Sequence, residues 1–591
     1  MCNLDKKDNS GTDLLNKTQD SQSTLNSINN YFSKVGANLA NNILSRTQNN
    51  ESFLSKHLNL QHINPPLNSF MLHPTSENEV RRIIFNLKNT GSSGWDGITT
   101  KFLKKGVNII VEPVTAICNI CFATGTFPLA LKRSVTIPIF KSGDRDMVSN
   151  YRPISLLPSL SKILEKLMNC RLKKYLELKG FLSSNQFGFR EGRSTCDALH
   201  KLTSFVANGL DNKDKVLGVF LDLAKAFDTV SVPILIAKLE YMGIRGIPLA
   251  LFRDYLRDRK QSVKMNDEYS QEVDIVYGVP QGSVLGPTLF LVYINDLCDL
   301  DIDKGQIITF ADDTVLLFKA KTWADINSIA NKGLRRVATW LDNNLLTFNA
   351  QKTMYISFST SSKTQPLPGI INLKVHRCVN ECETSCNCCS IINTTSTKYL
   401  GVVIDQHLDW KEQAKKLSAR VRKLIYIFKM LRNVCSMQTR TTVYYSLCQS
   451  IISYCLTVWG GTSKTTMLVV ERAQRALLKV MSFKDYRYPT DLLYKESKVL
   501  SVRKLFIQLL IVSQHKIKPD FGPRRRMDIV YKIPKCKTRF AQTFTNYLGP
   551  SIYNKISRKL KIRDLNFREC KKIIGEFLDE MDYLEVENML R

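Results

Sequence analysis

The chain has 591 residues, of which 43% are apolar, so most of it is expected to be globular and to form roughly three or four domains. Lysine and arginine number 84 against 53 aspartates and glutamates, and this net charge of +31 favours a polyanionic partner, nucleic acid before an anionic membrane. The polar first residues, the lack of a long uncharged window and 16 cysteines without a secretion signal disfavour a membrane-spanning or secreted disulfide-rich protein.

Residues 1–75 are rich in Asn, Ser, Thr and Gln, which predicts a linker or spacer. One amphipathic piece within it, residues 28–40, is expected to be a docking helix. Ser76 followed three residues later by Glu79 is typical of a capped helix start. The glycine-rich loop over residues 91–98 indicates, taken alone, only a flexible connection.

Two cations flank a short loop after a predicted strand over residues 134–140. Lys141 follows this strand, and Arg152 begins the next extended segment. Lysine supplies a point charge and arginine a bidentate fork, so this spacing suits the clamping of a triphosphate. Two solvated surface cations are an equally good interpretation of these residues alone.

The segment Gln186–Thr195 interleaves aromatic residues with glycine and arginine, and its notable side chains are Phe187, Arg190 and Arg193. Aromatic faces stack on bases and arginines contact phosphates, which predicts a nucleic-acid contact. The alternative is a packed loop with a basic rim.

Three carboxylates are predicted to lie at strand ends. The strand over residues 216–223 has one wholly apolar face, so Asp222 is expected on its other, open side. Asp312 and Asp313 lie at the reversal between two apolar, β-branched segments, which predicts a hairpin. An isolated Asp pair in a turn is usually a surface feature. Three strand-borne carboxylates are the minimum set for a two-metal phosphoryl-transfer site.

The turn Gly278–Ser283 contains Gln281, whose amide is expected to be rigidly held. A helix over residues 324–343 and a strand over residues 354–358 are predicted after the acidic hairpin.

From Lys411 the pattern becomes helical and basic, with Lys416, Arg420 and Lys423 beside an apolar face. Such a unit suits binding along the backbone of a duplex. The last hundred residues stay mixed and basic. Their run Arg524–Arg526 is interpreted as a nuclear-import or phosphate-contact patch, or as a solvated turn.

In this order the motifs resemble the reverse transcriptase of non-LTR (LINE-type) retrotransposons, most closely the jockey and chicken-repeat clades. The resemblance covers roughly residues 76–480. It rests on Gly94-Trp95-Asp96-Gly97-Ile98, Pro138-Ile139-Phe140-Lys141, Tyr151-Arg152-Pro153-Ile154-Ser155-Leu156-Leu157, Gln186-Phe187-Gly188-Phe189-Arg190, Leu221-Asp222-Leu223-Ala224-Lys225-Ala226-Phe227-Asp228, Gly278-Val279-Pro280-Gln281-Gly282-Ser283, Phe310-Ala311-Asp312-Asp313, Asn349 with Lys352, and Tyr399-Leu400-Gly401-Val402. Trp95 stands where the family prefers proline.

The resemblance implies an α+β, right-hand polymerase with fingers, a palm built on an antiparallel sheet, an α-helical thumb and a mostly helical C-terminal region. The implied divisions are a spacer over residues 1–75, fingers and palm over residues 76–405, a thumb over residues 406–485 and a basic region over residues 486–591. The palm contains the cysteine-rich insertion 376–389.

The resemblance also implies catalytic roles. Asp222 and Asp312 would hold two Mg²⁺ ions, with Asp313 assisting. Lys352 would protonate the leaving pyrophosphate, a contribution of about 10²–10⁴-fold for a general acid.

Nucleotide and template contacts are implied as well. Phe227 would pack under the sugar and exclude a 2′-hydroxyl, which selects deoxynucleotides. The remaining nucleotide contacts would be Lys141, Arg152, Gln281 and Gly282. Template and primer would be contacted by Phe187, Arg190, Arg193, Lys416, Arg420 and Lys423.

The cysteine-rich insertion has two interpretations. Its cysteines are numerous enough to bind one Zn²⁺ tetrahedrally, although their spacing matches no known finger. The candidate ligands are Cys378, Cys382, Cys386 and Cys388. Reduced loop thiols are the alternative.

The expected partners are an RNA template, a DNA primer or target and deoxynucleotides, in the nucleus and cytoplasm and without a membrane. Relatives of this kind carry an upstream endonuclease that residues 1–75 are too few to hold, so we expect polymerisation without target nicking, from a truncated copy or a partial gene model. The oligomeric state and the copied RNA stay open.

Two other hypotheses compete with an active retrotransposon polymerase. One is a catalytically silent relic that still binds RNA, against which the intact acids argue. The other is a different right-hand polymerase, such as a group II intron maturase or a telomerase-like enzyme. Ala311 in the acidic hairpin and the string from Tyr151 to Leu157 favour the LINE branch.

Overall fold

The computed structural model describes residues 21–46, 69–375, 388–517 and 531–590, and it combines helices with mainly antiparallel sheets. The helices up to residue 343 are α1 (Ser21–Leu44), α2 (Glu77–Phe85), α3 (Thr100–Lys105), α4 (Val107–Thr124), α5 (Ser159–Leu178), α6 (Thr195–Asp211), α7 (Val232–Tyr241), α8 (Gly246–Leu256), α9 (Gly286–Ile294) and α10 (Trp323–Asn343). The later helices are α11 (Lys411–Val434), α12 (Met437–Val443), α13 (Ser450–Ser453), α14 (Leu456–Trp459), α15 (Lys464–Met481), α16 (Thr490–Ser497), α17 (Val502–His515), α18 (Arg539–Gln542), α19 (Thr545–Lys559), α20 (Phe567–Glu580) and α21 (Tyr583–Met589).

The strands lie between the two groups of helices and among the first. They are β1 (Arg133–Phe140), β2 (Tyr151–Leu156), β3 (Lys215–Leu221), β4 (Leu223–Ala224), β5 (Arg259–Met265), β6 (Glu268–Tyr269), β7 (Val273–Ile275), β8 (Gln306–Phe310), β9 (Asp313–Ala320), β10 (Thr347–Phe348), β11 (Met354–Phe358), β12 (Ile392–Asn393), β13 (Ser396–Tyr399) and β14 (Val402–Asp405).

The structure confirms three of the elements that the sequence predicts. Ser76 caps α2 by accepting from the backbone N–H of Glu79, which confirms the predicted helix start. The helix predicted over residues 324–343 and the strand over residues 354–358 are also confirmed, as α10 and β11.

A five-stranded sheet in the order β12-β11-β3-β9-β8 carries the predicted acids. In its middle strand, Leu217 and Val219 face one hydrophobic core, and Val216 and Phe220 face a second one. The expectation that Asp222 lies on an open side of its strand is therefore wrong, because α10 packs on one face of the sheet and α6 on the other. Asp222 is accessible because β3 ends before it.

A second sheet, in the order β2-β1-β5-β6 with β7 beside β5, supports the predicted phosphate clamp. Helix α1 packs against β5, and its Asn29 is fully buried there. The side chain of Asn29 donates to the hydroxyl of Ser270 at 2.9 Å and accepts from the amide of Gln261, also at 2.9 Å. The amphipathic piece predicted over residues 28–40 thus belongs to a helix that is part of the folded body.

Helices α11 to α21 share the second core with the central sheet. The buried side chain of Arg503 joins them: it donates to the backbone oxygens of Gly460 at 2.7 Å and Thr462 at 3.1 Å, and it pairs with Glu587 at 2.8 Å. The domain boundary predicted near residue 485 falls inside this shared core.

Helix α4 departs from the sequence expectation that no segment could cross a membrane. Among the described residues it is the one helix whose length and composition would allow it. The sequence criterion treats Asn119 as an interruption of the uncharged stretch that begins at Pro113, but the helix starts earlier, at Val107, and continues through Asn119. Asn119 accepts from the backbone N–H of Thr75 at 2.8 Å. One face of α4 packs into the first core, and Ile109 and Ile120 on the other face are exposed.

Two predicted features lie outside the described residues. They are the run Arg524–Arg526 and three of the four candidate zinc ligands, Cys378, Cys382 and Cys386. Cys388, the fourth, is described and is partly exposed. Both interpretations of the cysteine-rich insertion therefore stay predictions.

Candidate active site

The ends of two neighbouring strands bring the predicted carboxylates together. Asp222 directly follows β3, and Asp313 is the first residue of β9. The antiparallel register pairs Leu221 with Thr314, so the next positions, Asp222 and Asp313, lie side by side. The sheet itself therefore creates the acidic cluster from residues about ninety positions apart.

Asp312 lies in the two-residue turn between β8 and β9. Desolvation by the surrounding chain raises the pKa of Asp312, and the charge of Asp222 raises it further. Desolvation and the charges of Asp312 and Asp222 raise the pKa of Asp313 to about 6. The three carboxylates are thus close enough to repel one another, and a bound cation would relieve that repulsion.

Asp222 is held by the loop that follows β10. The side-chain amide of Asn349 donates to Asp222 Oδ2 at 2.8 Å, and the backbone N–H of Asn349 donates to the carbonyl of Asp222 at 2.9 Å. The backbone N–H of Asp222 donates to Thr353 Oγ1 at 3.2 Å. These bonds orient the carboxyl group and involve only one of its two oxygens.

The predicted phosphate clamp faces the acids. Lys141 and Arg152 lie at the loop end of the β1–β2 hairpin, where the backbone N–H of Lys141 donates to the carbonyl of Asn150 at 2.9 Å. Both side chains are exposed. Their positive charges lower the pKa of Asp312, against the larger effect of its desolvation. The acids and the clamp therefore belong to one electrostatic site.

Lys225 is a site residue that the sequence reasoning missed. Its ammonium group donates to the carbonyls of Ser149 and Tyr151, each at 3.2 Å, and so ties the segment after Asp222 to the clamp loop. Burial lowers its pKa, as do the charges of Lys352 and the two clamp cations. The available signal was its position in the motif that begins with Asp222.

Gln281 is rigidly held, as predicted, although its partner was not foreseen. Its side-chain amide donates to Asp228 Oδ1 at 2.7 Å, and its backbone carbonyl accepts from the backbone N–H of Ser155 at 2.8 Å. Burial raises the pKa of Asp228 to about 6. Gly282 has a φ of +113°, and a Cβ there would lie 2.8 Å from the carbonyl oxygen of Ser155. The turn is therefore pressed against β2.

Phe227 forms the middle of an aromatic run beside the acids. Its ring stacks on Phe290, with centroids 4.3 Å apart, and meets Phe189 edge-on at 6.4 Å. The ring is half-buried, so part of it is accessible to solvent. These contacts fix its position without hydrogen bonds.

Two of the three predicted template contacts in the segment Gln186–Thr195 need correction. Phe187 is 3% exposed and lies in the second core, so its ring is not available to stack on bases. Arg190 pairs with Glu177 at 2.7 Å and donates to the carbonyl of Ser183 at 2.6 Å, which neutralises and encloses it. Phe189, which is 44% exposed, offers the free ring, and Arg193 is exposed as a phosphate contact requires.

The basic side chains predicted to follow a duplex lie on one long helix, α11. Lys416, Arg420 and Lys423 are all exposed on it. The opposite face, which includes Leu417 and Val421, packs into the second core. The helix thus presents cations to solvent, as a phosphate-binding surface requires.

No three histidine, cysteine, aspartate or glutamate side chains enclose a metal ion within the described parts of the chain. The chemistry of the acidic cluster nevertheless fits Mg²⁺, which binds through one or two carboxylates and takes its other ligands from water and substrate phosphates. The exposed clamp cations lie within electrostatic range of these acids. Exposed cations beside clustered carboxylates are an arrangement that would suit a nucleoside triphosphate with its metal ions.

Comparison with known families identifies the same region. Residues 139–404 match the family described as reverse transcriptase (RNA-dependent DNA polymerase). The match begins in β1 and ends in β14, so it contains all the predicted catalytic and nucleotide-contacting residues. The helical unit from α11 onwards lies outside it.

Curated relatives extend the likeness beyond this region. The chain is 29% identical over 427 residues to the RNA-directed DNA polymerase from mobile element jockey of Drosophila melanogaster, across 70% of this chain and 44% of the relative. It is 26% identical over 432 residues to the probable RNA-directed DNA polymerase from transposon X-element of the same species, across 72% of this chain and 46% of the relative. The chain therefore spans less than half the length of these relatives.

Proposed function

We propose that the chain is an RNA-directed DNA polymerase of the non-LTR retrotransposon kind that extends a DNA 3′-hydroxyl on an RNA template, because residues 139–404 match the reverse transcriptase family and the relatives described above carry that name. One observation carries this proposal. The carboxylates of Asp222, Asp312 and Asp313 lie together at the ends of β3 and β9, within electrostatic range of the exposed Lys141 and Arg152.

The three acids would hold two Mg²⁺ ions together with the nucleotide phosphates. Bound Mg²⁺ supplies a lowered pKa at the primer 3′-hydroxyl and charge stabilisation at the departing pyrophosphate. Asn349 keeps Asp222 turned towards this position through its bond to Oδ2. Desolvation and the mutual repulsion of the acids raise the pKa values of Asp312 and Asp313, and the positive charge of Lys141 offsets this only in part.

The clamp residues would bind the triphosphate. Lys141 and Arg152 approach from the β1–β2 pair, while Lys225 holds the clamp loop in place through two backbone carbonyls. Lys352 lies within electrostatic range of Lys225 and would be the acid that protonates pyrophosphate. Positive charge is thus concentrated where the leaving group would form.

Nucleotide selection would depend on Phe227 and the Gln281 turn. Stacking on Phe290 leaves Phe227 little freedom to move aside for a 2′-hydroxyl. The bond from Gln281 to Asp228 and the close approach of Gly282 to Ser155 would hold the Gln281 turn in place beside Phe227. A cleft with rigid walls discriminates by size.

The right-hand layout is the arrangement that fits this function. We assign the sheet β12-β11-β3-β9-β8 to the palm, the β1–β2 pair to the fingers and the helices from α11 to the thumb. The exposed Lys416, Arg420 and Lys423 on α11 would then follow the template–primer duplex, and Arg193 would contact the template. Because the second core continues past residue 485, the thumb and the C-terminal helices would move as one body.

Incorporation of dTTP on poly(rA)/oligo(dT) with Mg²⁺ tests the proposal. The wild-type chain is expected to be active and Asp312→Ala inactive. Asp301→Ala is the control, because Asp301 is 83% exposed and its side chain contacts only the surface side chain of Arg336 and the backbone N–H of Asp303 among the described residues. Equal activity in all three proteins would contradict the assignment of the acids. Salt-sensitive binding of the hybrid without synthesis would instead favour a silent relic that binds RNA.

A further inference from the structure

We propose that Gln186 is a positioning residue that holds the turn carrying Asp312 in its working shape. Its side-chain oxygen accepts from two backbone N–H groups, that of Gly188 at 2.9 Å and that of Ala311, the residue before Asp312, at 3.2 Å. Gln186 is completely buried. It contacts no substrate in the proposed arrangement and would act only through the turn.

The segment around Gln186 is hydrogen-bonded to β8, the strand that leads into the Asp312 turn, as closely as a neighbouring strand would be. Asn185 and Phe187 exchange backbone hydrogen bonds with Thr309, the N–H of Thr309 donating to Asn185 at 3.0 Å and the N–H of Phe187 donating to Thr309 at 2.9 Å. A Cβ on Gly188 would lie 2.4 Å from the backbone nitrogen of Ala311. The segment around Gln186 therefore covers the free edge of β8 and packs directly on the acid turn.

Ala311 explains why the turn needs support. It is the first of two residues between the paired positions Phe310 and Asp313, and its φ is +59°. Residues other than glycine rarely adopt this backbone conformation, and it persists only when surrounding contacts impose it. The bond from Ala311 to Gln186 is such a contact, and it lies one residue from a catalytic carboxylate.

The unpaired nitrogen of Gln186 shows which half of the amide matters. Its Nε2 atom is buried and makes no hydrogen bond within the described parts of the chain. A side chain that keeps an oxygen at this position should therefore preserve the turn, and one of the same length without an oxygen should not. Gln186→Glu and Gln186→Met provide these two cases.

The test measures dTTP incorporation and the affinity for Mn²⁺ in the presence of dTTP by electron paramagnetic resonance. For Gln186→Met we expect kcat to fall by about 10- to 100-fold, because a catalytic group displaced by about 1 Å costs that much. Mn²⁺ affinity should fall several-fold, and Gln186→Glu should retain more of both. The control is Gln306→Met, since Gln306 joins the same two segments through Asn185 at 3.3 Å but at the far end of β8.

Ala311→Gly supplies a second, independent test, because glycine adopts a positive φ without support. The loss caused by Gln186→Met should be smaller in the Ala311→Gly background. Equal losses in both backgrounds, or a folded Gln186→Met protein with wild-type kcat and Mn²⁺ affinity, would overturn the inference. If Gln186→Met fails to fold in both the wild-type and the Ala311→Gly backgrounds, Gln186 serves the fold as a whole. That result also overturns the inference.

The kcat readout rests on the proposed polymerase function, but the Mn²⁺ readout does not. An inactive wild-type chain that binds Mn²⁺ more tightly than Gln186→Met would refute the polymerase proposal and support the role of Gln186. An active wild-type chain with unchanged Gln186→Met would do the opposite. The two failures are therefore distinguishable.

Discussion

Lys141 and Arg152 are the cations at the cleft, the space between the phosphate clamp and the acids. They differ from the cations of the interior in whether a carboxylate already neutralises their charge. Among the described residues, neither Lys141 nor Arg152 forms an ion pair with a carboxylate, and both are exposed. Arg190, in contrast, has a side chain that is 9% exposed and pairs with Glu177 at 2.7 Å. Arg503 is buried and pairs with Glu587.

This difference decides what each cation is able to do. A paired, buried guanidinium stabilises the fold, and removing its partner leaves a costly uncompensated charge. An exposed cation without a carboxylate partner is free to bind phosphate. The 84 lysines and arginines therefore overstate the number of cations that are available to nucleic acid, because some of them are already paired with carboxylates inside the protein.

The largest effect is expected at the carboxylates that the cleft cations face. Asp222→Asn should lower kcat about 10³-fold, since a preorganised charged group is lost from the reacting centre. Its amide oxygen can still accept from Asn349, so the melting temperature should stay close to that of the wild type. Steady-state incorporation and thermal unfolding measure the two quantities. A stable Asp222→Asn protein with substantial activity would exclude Asp222 from catalysis.

The second largest effect should come from an interior cation. Arg190→Gln should reduce the free energy of unfolding by about 2–3 kcal/mol, because Glu177 and several loop carbonyls lose their partner. Denaturant unfolding measures this loss. Arg336→Gln, which breaks a surface pair, should cost at most about 1 kcal/mol. Equal costs for the two variants would erase the distinction between buried and surface pairs.

Arg193 is the matched cleft-side variant from the same segment. Arg193→Gln should weaken binding of an RNA–DNA hybrid several-fold and reduce the salt slope of the affinity by about one. Its stability should not change, because the side chain is exposed and lies over the ring of Phe187 without an acidic partner in the described chain. Fluorescence anisotropy at several salt concentrations gives both values. A loss of stability without a change in the salt slope would show that Arg193 stabilises the fold and does not contact the hybrid.

The smallest effect concerns pH. The folded-state pKa of Asp313 is about 6, above its ordinary value, so the folded state binds this proton more tightly than the unfolded state. In EDTA, the free energy of unfolding should therefore rise as pH falls through 6 towards 4. Between about pH 7.5 and about pH 5, Asp313→Asn should reduce this rise by about 1 kcal/mol. An identical pH dependence in both proteins would show that neither desolvation nor the neighbouring carboxylates raise the pKa of Asp313.

The sequence was most informative where chemistry and local structure depend on the same few residues. The hairpin at Asp312 follows from β-branched flanks and a turn-forming pair, and the cation spacing of Lys141 and Arg152 follows from a short loop. The helix cap at Ser76 is equally local. Patterns of this kind need no knowledge of distant neighbours.

Burial and pairing could not be predicted in the same way. Phe187 and Phe189 are two residues apart in one motif, yet one lies in a core and the other is exposed. Nothing local in the sequence shows that Arg190 finds Glu177, or that the second face of β3 is covered by α6. Lys225 and Asp228 acquire their roles from segments far along the chain, the clamp loop and the Gln281 turn. These relationships are tertiary, and they appear only in the folded chain.

The central claim is that the acids and the unpaired cleft cations form one nucleotide site. It is tested most directly by the KM for dTTP and the melting temperature of Arg152→Gln, measured beside Arg190→Gln on poly(rA)/oligo(dT). We expect Arg152→Gln to raise KM by about tenfold or more with an unchanged melting temperature, because a charge-assisted contact with the triphosphate is lost. Arg190→Gln should leave the KM for dTTP unchanged and lower the melting temperature. An unchanged KM in Arg152→Gln, or a larger rise in Arg190→Gln, would contradict the account.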